Sequence, residues 1–282
     1  MKPSFRLIAT IPADYYEQAI ALCHALGMLG CEEQDAPSGV IFRVYFNDHD
    51  TAQAVARRLE VAACAEHLSV EKVETEDWNA KWRKSMKPAR LTRGYWVSPL
   101  WLPPPASARH WIKIEPKMAF GTGHHETTRL AAAMLIANRR CLKGKRLLDI
   151  GSGSGVLCFT AGICGAHSCL GVEIDPDCTE NLAENRDQNR DAGKISFLIG
   201  TIDCLKSSNI FDIAVMNMLI TESAPLLGIV ASLLKSYGMI IWSGILVDKR
   251  DEAVSLAGKI GLKLIKEKRE YEWWCGAFRM IQ

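Results

Sequence analysis

The sequence lacks the features that mark membrane-spanning, secreted and disulfide-bonded proteins. Its 282 residues contain no apolar run that approaches the roughly 18 residues of a membrane span. The first residues show no signal-peptide core. The ten cysteines form no C-x-x-C pair, which argues against a zinc site or a disulfide framework. These absences predict a cytoplasmic protein with reduced thiols.

An excess of charge of one sign is also missing. Lys and Arg total 34 and Asp and Glu total 32, so the net charge is +2. This balance argues neither for nor against nucleic acid, and we expect a monomer that binds no membrane and no nucleic acid directly. No Ser-His-Asp order, P-loop or metal-ligand cluster is evident. His124 and His125 are adjacent, so their side chains point differently, and without a third ligand they predict a structured loop rather than a metal site.

The most informative stretch that is present runs from Arg146 to Gly155, Arg-Leu-Leu-Asp-Ile-Gly-Ser-Gly-Ser-Gly. An apolar run, alternating glycines and a following apolar helical pattern predict a buried strand, a tight turn and a helix. Glycines suit such a turn because they allow positive φ and a close approach of a ligand to the backbone. A dinucleotide site needs G-x-G-x-x-G, but Val156 occupies the third glycine position. A nicotinamide-dependent oxidoreductase and a purely structural turn stay open as alternatives.

An acidic residue at the end of the next strand pattern supports the prediction of a nucleotide-like ligand. Residues 169–173 form another apolar strand pattern that ends in Glu173, about 20 residues after the glycine turn. An acid at this place accepts hydrogen bonds from ribose hydroxyl groups in dinucleotide folds. The alternative for Glu173 is a solvated charge at a strand end. Asp175 has a similar alternative, since an aspartate that caps a helix needs no ligand.

The first 75 residues follow a different pattern from the rest of the chain. Strands are predicted at residues 5–11, 28–33, 40–46 and 68–73, and helices at 15–26 and 52–59. The order βαββαβ is that of a ferredoxin-like α+β domain, which we place at residues 1–75. Residues 76–110 are rich in Trp and Pro and predict a linker, with Trp78 and Trp82 on one face of a short helix. RNA binding by this segment is the less favoured alternative.

Residues 111–282 alternate strand and helix patterns, which favours an α/β domain with a doubly wound, mostly parallel sheet. The last two strand patterns, at 262–267 and 274–281, have no helix between them. They predict a hairpin that places one antiparallel strand at an edge of the sheet. Thr127 or Thr128 is expected to cap the helix that follows the glycine-containing loop.

Several motifs together resemble one family. They are Met118-Ala-Phe-Gly-Thr-Gly-His-His-Glu-Thr-Thr, the Trp78…Trp82 connector, Asp149 to Gly155, Asn217 and Ser243-Gly-Ile-Leu. The chain resembles the bacterial PrmA family of methyltransferases, which use S-adenosylmethionine (SAM) and modify the eleventh protein of the large ribosomal subunit. The resemblance is strongest over residues 76–128 and 145–246. Its loop Ala-Phe-Gly-Thr-Gly is specific to this family, whereas the glycine turn marks only the superfamily.

The resemblance implies a class I methyltransferase domain at residues 111–282, with a seven-stranded Rossmann-like sheet. The implied reaction is SAM-dependent N-methylation of lysine side chains, with the terminal amine as a further target, of that ribosomal protein. Residues 1–75 would recognise the substrate. Asn217 would be the catalytic residue, facing the transferring methyl group and the amine. The implied cofactor-binding residues are Phe120, Gly121, Thr122, Gly123, Thr128, Asp149, Gly151, Ser152, Gly153, Gly155, Glu173, Asp203 and Asn217.

Within that set, the resemblance assigns Glu173 to ribose and Asp203, with Thr201 and Ile202, to adenine. The chain also departs from the family pattern. His124 replaces a usual threonine, Glu126 a usual proline and Ser152 a frequent cysteine, and Glu173 stands where aspartate is more common.

A further departure follows Asn217, where Met-Leu-Ile-Thr-Glu replaces the common Ile-Leu-Ala. The changed segment lies where a substrate amine is expected to enter, so it bears on the choice of target. A non-catalytic ribosome-associated module with a decayed SAM site therefore stays open as an alternative. Glu222, at the end of this segment, is either a group that assists the amine or an exposed acid at a helix start.

Overall fold

The computed structural model describes residues 4–73, 83, 86–117, 120–206 and 208–281. Contacts between Cα atoms divide the chain into two compact units, Met1–Ser85 and Met86–Gln282. The predicted helix face of Trp78 and Trp82 lies outside the described residues. Within the described part of the chain, no helix is long and apolar enough to cross a membrane.

The first unit has the predicted ferredoxin-like arrangement. Its described elements are β1 (Ser4–Ile11), α1 (Tyr16–Ala25), β2 (Gly30–Ala36), β3 (Gly39–Phe46), α2 (His49–Ala62) and β4 (Glu66–Val73). The strands pair antiparallel in the order β2-β3-β1-β4. This order confirms the fold that the βαββαβ pattern predicted.

Alternation along the strands gives this unit its own core. Successive strand residues face opposite sides of a sheet, and Leu7 on β1 and Phe42 on β3 are fully buried together with Val55 and Leu59 of α2. The alternate residues of these strands face away from the helices, and there Arg6 pairs with Glu71 across β1 and β4 at 2.8 Å. The core therefore lies between the sheet and the two helices.

The second unit begins with a small sheet of β5 (Ala89–Thr92), β6 (Tyr95–Pro99) and β7 (His110–Ile114), paired in that order. Its later elements are α3 (Glu126–Ala137), α4 (Arg139–Leu142), β8 (Arg146–Ile150), α5 (Val156–Ile163), β9 (Ser168–Glu173), α6 (Cys178–Gln188), β10 (Lys194–Ile199), β11 (Phe211–Asn217), α7 (Ile220–Ser223), α8 (Leu227–Leu233), β12 (Leu234–Leu246), α9 (Arg250–Lys259), β13 (Leu262–Glu270) and β14 (Trp273–Met280). A seven-stranded sheet has the order β10-β9-β8-β11-β12-β14-β13, which confirms the predicted α/β class.

Helices cover both faces of this large sheet. Val215 of β11 and Ile241 of β12 pack with α3 and α5, whereas the next residues, Met216 and Trp242, pack with α8 and α9 on the other face. Strands that are buried on both faces need near-continuous apolar runs. This requirement explains why the sequence shows short apolar stretches rather than a strict polar alternation at these strands.

The antiparallel strand lies inside the sheet, so its predicted place at an edge was wrong. β14 pairs antiparallel with both β12 and β13. The chain leaves β12 through α9, forms the edge strand β13 one strand-width away, and returns into the gap as β14. Burial favours this choice, because Trp274 and Phe278 of β14 are almost completely buried.

Residues 86–110, which the sequence placed in a linker, belong to the second unit. Three asparagines spaced by four residues, two on α6 and the third at its C-cap, bind the backbone around β7. Asn189 accepts from the Lys113 N–H at 3.0 Å and donates to the Lys113 carbonyl oxygen at 2.6 Å, and Asn185 accepts from the Glu115 N–H at 2.7 Å. Asn181 donates to the carbonyl oxygen of Glu115 at 2.8 Å. These buried amide side chains form the hydrogen bonds that a neighbouring strand would otherwise form with the backbone around β7.

Candidate active site

The candidate site lies at the carboxyl edge of the seven-stranded sheet. The pairing register keeps the ends of β9, β8 and β11 level, so Glu173, Gly151 and Asn217 lie side by side in that order. Ligands of open α/β sheets bind in the crevice outside the carboxyl ends of the strands. Three residues that the sequence selected for different reasons therefore meet at one crevice.

Backbone hydrogen bonds hold the glycine turn against the end of β9. The N–H of Gly151 donates to the carbonyl oxygen of Val172 at 2.9 Å. The Glu173 carboxylate accepts from the Gly153 N–H at 2.7 Å through Oε2 and from the Asp175 N–H at 3.1 Å through Oε1. A carboxylate has about four lone-pair positions, so Glu173 retains acceptor capacity while it fixes the turn.

The loop that carries Phe120 rests on this turn. Ser154 donates its backbone N–H to the Phe120 carbonyl oxygen at 2.9 Å and its hydroxyl to the Gly121 carbonyl oxygen at 2.8 Å. Gly153 has a φ of +52°, and a Cβ there would lie 2.5 Å from the Phe120 carbonyl oxygen. Only glycine permits both this backbone conformation and this contact.

Two histidines organise the same loop, as the sequence predicted. His125 caps α3, because its Nδ1 accepts from the Thr127 N–H at 3.3 Å. The expected cap at Thr127 or Thr128 was wrong: the helix begins one residue after His125, so both threonines fall inside its first turn. His124 Nε2 lies 2.8 Å from the carbonyl oxygen of Lys87, which ties the loop to the residues before β5.

Arg129 connects this loop to the last hairpin. Its guanidinium contacts the His124 carbonyl oxygen and forms ion pairs of 2.6 Å with Glu126 and with Glu270. The hydrogen bond from its own backbone N–H and the one from Arg129 lower the pKa of Glu126, so this pair is ionised at neutral pH. Glu270 is the last residue of β13. The network therefore fixes the position of the turn between β13 and β14.

An aromatic wall results from these contacts. Trp273, the first residue of β14, packs edge-on against His125 with ring centroids 5.2 Å apart, and His125 packs against Phe120 at 5.5 Å. Phe120 is 56% exposed. All three side chains line the same cavity, and they come from regions of the chain that are far apart in sequence.

Asn217 is only 8% exposed. Its Nδ2 donates to Oγ1 of the fully buried Thr128 at 3.3 Å, while its Oδ1 has no hydrogen-bond partner among the described residues. Leaving a buried acceptor unpaired costs about 1–3 kcal/mol. Because Asn217 lines the cavity, a ligand with a donor group can satisfy this oxygen.

Asp149 lies beneath the glycine turn and is completely buried. Its Oδ2 accepts a hydrogen bond from the Cys158 thiol at 3.5 Å, and its Oδ1 has no partner within the described residues. Burial raises the pKa of Asp149 from 3.8 to about 7, although the hydrogen bond from Cys158 opposes the shift. Near neutral pH, Asp149 is therefore a mixture of its protonated and ionised forms.

The walls enclose a cavity of about 880 Å³, a size that suits a small-molecule ligand. Four carboxylates lie on its lining, those of Glu173, Asp175, Asp203 and Glu222, whereas the described lining residues include no Lys or Arg. Such a lining favours a ligand that carries positive charge.

Comparison with known proteins identifies the family. The family model for ribosomal protein L11 methyltransferase (PrmA) matches residues 19–280. The chain belongs to this family. A ribosomal protein L11 methyltransferase of Geobacter sulfurreducens is 35% identical over 208 residues, which are 73% of this chain and 67% of that protein. One from Sorangium cellulosum is 30% identical over 266 residues, which are 90% of this chain and 83% of that protein.

A solved structure of the PrmA family supports the same fold. The crystal structure of a ribosomal protein L11 methylase from Lactobacillus delbrueckii subsp. bulgaricus matches with a TM-score of 0.61 at 25% identity, covering 69% of this chain and 99% of that chain. The family resemblance and the class I methyltransferase fold that the sequence predicted are therefore confirmed. Membership of a methyltransferase family also favours methyl transfer over the nicotinamide alternative.

The cofactor of this PrmA-family protein is SAM, and the cavity fits it. SAM carries a sulfonium and an ammonium group against one carboxylate, which agrees with the acidic lining. Glu173 and Asp175 place carboxylate oxygens on the lining, and such oxygens are the acceptors that ribose hydroxyls need. The apolar side chains of Ile174, which is 70% exposed, and Ile202 are suited to the flat adenine ring.

The structure brings the residues predicted to bind the cofactor together in two layers. On the cavity lining are Phe120, Gly151, Gly153, Glu173, Asp203 and Asn217. Behind the lining, Thr128 accepts a hydrogen bond from Asn217, and the Gly121 carbonyl oxygen accepts one from the Ser154 hydroxyl. The remaining predicted residues form the glycine turn itself: Asp149, Ser152 and Gly155. Thr122 and Gly123 lie off the lining, where Thr122 approaches His124 Nδ1 at 3.3 Å. The binding roles of these residues stay predictions.

Trp273 lies on the cavity wall and was not marked by the sequence. Ser154, which holds the Phe120 loop, was marked only as part of the glycine turn. The alternating serines of the glycine turn were a usable signal for Ser154. No local pattern marks Trp273, because its place depends on the return of β14 into the middle of the sheet.

Proposed function

We propose that this PrmA-family protein transfers methyl groups from SAM to lysine side-chain amines of ribosomal protein L11, with the terminal amine as a further acceptor of the same chemistry. Relatives of the chain are named for methylation of that protein. The observation that carries the amine assignment is the buried Asn217 Oδ1, which has no partner within the described residues and lines the cavity. An amine nitrogen supplies the donor that this acceptor needs.

The chemistry asks the protein mainly for position. Bound SAM supplies a methyl group attached to a positively charged sulfur, and this sulfur is the leaving group, which departs as a neutral thioether. Asn217 accepts one N–H of the neutral amine and so directs the nitrogen lone pair toward the methyl carbon. Holding two reactants in such a geometry contributes several kcal/mol to a rate enhancement.

Other residues of the cavity hold the cofactor and keep out water in this proposal. Glu173 binds the ribose hydroxyls, and Thr201, Ile202 and Asp203 lie beside adenine. The aromatic wall of Phe120, His125 and Trp273 covers the reacting groups. Support comes from the lining of the cavity, which includes all of these residues.

Mass spectrometry of purified L11 tests the proposal. L11 incubated with this protein and SAM should gain mass in steps of one methyl group, and peptide mapping should place the methyl groups on lysine or on the terminal amine. Asn217→Ala is the control for contaminating activity. Methyl groups on another residue type would overturn the amine assignment, and no gain in mass would favour a module with a decayed site. A thermal shift with SAM but none with NAD excludes the nicotinamide alternative.

We also propose that the first unit recognises the protein substrate. Its core contains residues 5 to 70 only, and the two large cores of the second unit contain none of these residues. A chain that begins at Met86 should therefore still bind SAM. Its kcat/KM for L11 should fall steeply, because the contribution of remote binding to positioning is lost. Unchanged L11 methylation by this shorter chain would contradict the division of roles.

A further inference from the structure

Glu222 lines the same cavity as Asn217 and lies in the short helix that follows β11, the strand that Asn217 ends. It is the third residue of the short helix α7, and its N–H donates to the Leu219 carbonyl oxygen at 3.0 Å. The next residue, Ser223, is fully buried and accepts a hydrogen bond from the Trp242 indole at 2.8 Å. The helix is thus anchored to β12 from inside, which holds the exposed Glu222 at the cavity.

Strand order separates Glu222 from the acids that face the cofactor. Glu173 is the last residue of β9 and Asp203 follows β10, whereas Glu222 follows β11. Since β8 lies between β9 and β11, the ends of those two strands are about 10 Å apart. Glu222 and Asn217 therefore form one end of the cavity. The other titratable side chains on the lining are His125, Glu173, Asp175, Cys178 and Asp203.

This end of the cavity offers hydrogen-bond acceptors. Asn217 Oδ1 is buried and unpartnered among the described residues, and Glu222 adds a carboxylate. The described lining carries no Lys or Arg that would neutralise this carboxylate. A primary ammonium group has three donors and no acceptor, so its chemistry complements the pair.

We propose that Glu222 binds the incoming lysine in its charged form and delivers it to Asn217, which holds the neutral amine for methyl transfer. This inference rests on the proposed lysine specificity. It assigns a role in substrate binding to the segment after Asn217, which differs from the common family sequence. Between the two positions the ammonium group gives its proton to water.

This role predicts that loss of the Glu222 carboxylate affects L11 binding and kcat differently. A carboxylate beside an ammonium group strengthens its binding and also stabilises its proton. Removing the carboxylate should therefore weaken L11 binding without lowering kcat at neutral pH. At saturating L11, the rise of kcat with pH should occur at lower pH, because the bound amine then loses its proton more easily.

Steady-state kinetics of Glu222→Gln test this role. The KM for L11 should rise roughly three- to tenfold, the range of a partly solvated charge pair, while the affinity for SAM stays within about twofold. Glu252→Gln is the matched control, because Glu252 is also the third residue of its helix, pairs with Lys249 at 3.1 Å and lies off the cavity. Glu222→Asp should restore most of the affinity for L11. The proposal is wrong if Glu222→Gln behaves like the control, or if kcat falls at constant KM.

A small probe separates this inference from the identity of the substrate. n-Butylammonium mimics the lysine side chain, and its binding to the protein saturated with S-adenosylhomocysteine can be measured by calorimetry. Binding that weakens at least threefold in Glu222→Gln supports the ammonium site even if L11 is not methylated. Equal binding to both proteins overturns it, whatever the outcome with L11.

Discussion

Two walls of the cavity lining differ: the wall at the ends of β8 and β9 carries the Glu173 carboxylate, which is paired with backbone N–H groups, whereas the wall at the end of β11 carries an amide oxygen that no described residue pairs with. In the first wall, the N–H of Gly153 donates a hydrogen bond of 2.7 Å to the Glu173 carboxylate. In the second, Asn217 Oδ1 has no partner in the described part of the chain. In the proposed function, the first wall is preorganised for SAM, and the second is completed only when the substrate amine binds.

The largest expected effect is on kcat, and it comes from a substitution of Asn217 in the wall at the end of β11. Asn217→Ala should lower kcat about 100-fold, because a misplaced nucleophile loses much of the advantage of proximity, and should change SAM affinity much less. Single-turnover kinetics at saturating SAM measure this effect. The buried Asn181 on α6 is a matched control, since Asn181→Ala should reduce stability and leave kcat near normal. If Asn217→Ala loses stability and SAM binding together while methyl transfer stays near normal, Asn217 only supports the turn.

A substitution of Glu173, in the wall at the ends of β8 and β9 (the cofactor wall), should show the opposite pattern, with its main effect on SAM affinity rather than on kcat. Glu173→Ala removes charge-assisted hydrogen bonds that are worth about 1.5–3 kcal/mol, so SAM binding should weaken about tenfold or more. Calorimetric titration with SAM checks this, and Glu180→Ala, at an exposed acid on α6 that pairs with Lys117, is the control. Unchanged SAM affinity in a folded Glu173 variant would remove the ribose assignment and with it the contrast between the walls.

The two walls also differ in how far the sequence could predict them. The glycine turn and Glu173 are adjacent to strand ends, so the local pattern of apolar run, glycine and acid was enough to place them. Asn217 also follows an apolar strand, but its role came only from the family resemblance. The cavity depends in addition on Trp273 and on the Arg129–Glu270 ion pair, which join segments far apart in the chain.

The same reason accounts for what the sequence could not predict about the fold. The hairpin of β13 and β14 was visible in the sequence, yet whether its second strand lies at the edge or inside the sheet depends on packing against β12. Residues 86–110 looked like a linker because they are rich in Trp and Pro. Their place in the second unit depends on the pairing of β6 with β7, and the residue just after β7 is held by Asn185, which lies about 70 residues later in the chain.

Asp149, beneath the glycine turn, should make stability depend on pH. Burial raises its pKa from 3.8 in the unfolded chain to about 7 in the fold, against the effect of the Cys158 hydrogen bond. Its contribution to the free energy of unfolding is therefore fully present below pH 4 and is lost as pH rises to 7, by about 1.4 kcal/mol per pH unit. Asp149→Asn should lack this loss, so its stability relative to wild type should increase from pH 5 to pH 7.

Urea unfolding at several pH values measures that difference. Asp212 provides a control of opposite sign: burial opposes the shift, but hydrogen bonds from the Arg146 N–H and from Lys235 lower its pKa. Its stabilising contribution is present above the unfolded pKa and is lost as pH falls, so Asp212→Asn should be most destabilised at neutral pH. A stability difference between wild type and Asp149→Asn that does not change with pH would mean that the buried carboxyl has an ordinary pKa.

The smallest expected effect distinguishes two glycines of the same turn. A Cβ at Gly151 would lie 2.8 Å from the sulfur of Met218, a flexible side chain, whereas a Cβ at Gly153 would lie 2.5 Å from the backbone oxygen of Phe120. Both positions have positive φ, +70° and +52°, so alanine suffers a comparable backbone strain of about 1 kcal/mol at each. Only Gly153→Ala must also displace the Phe120 loop, and its SAM affinity should be a few-fold weaker than that of Gly151→Ala. Equal affinities would show that the loop does not contribute to holding SAM and that the glycine turn alone forms the cofactor wall.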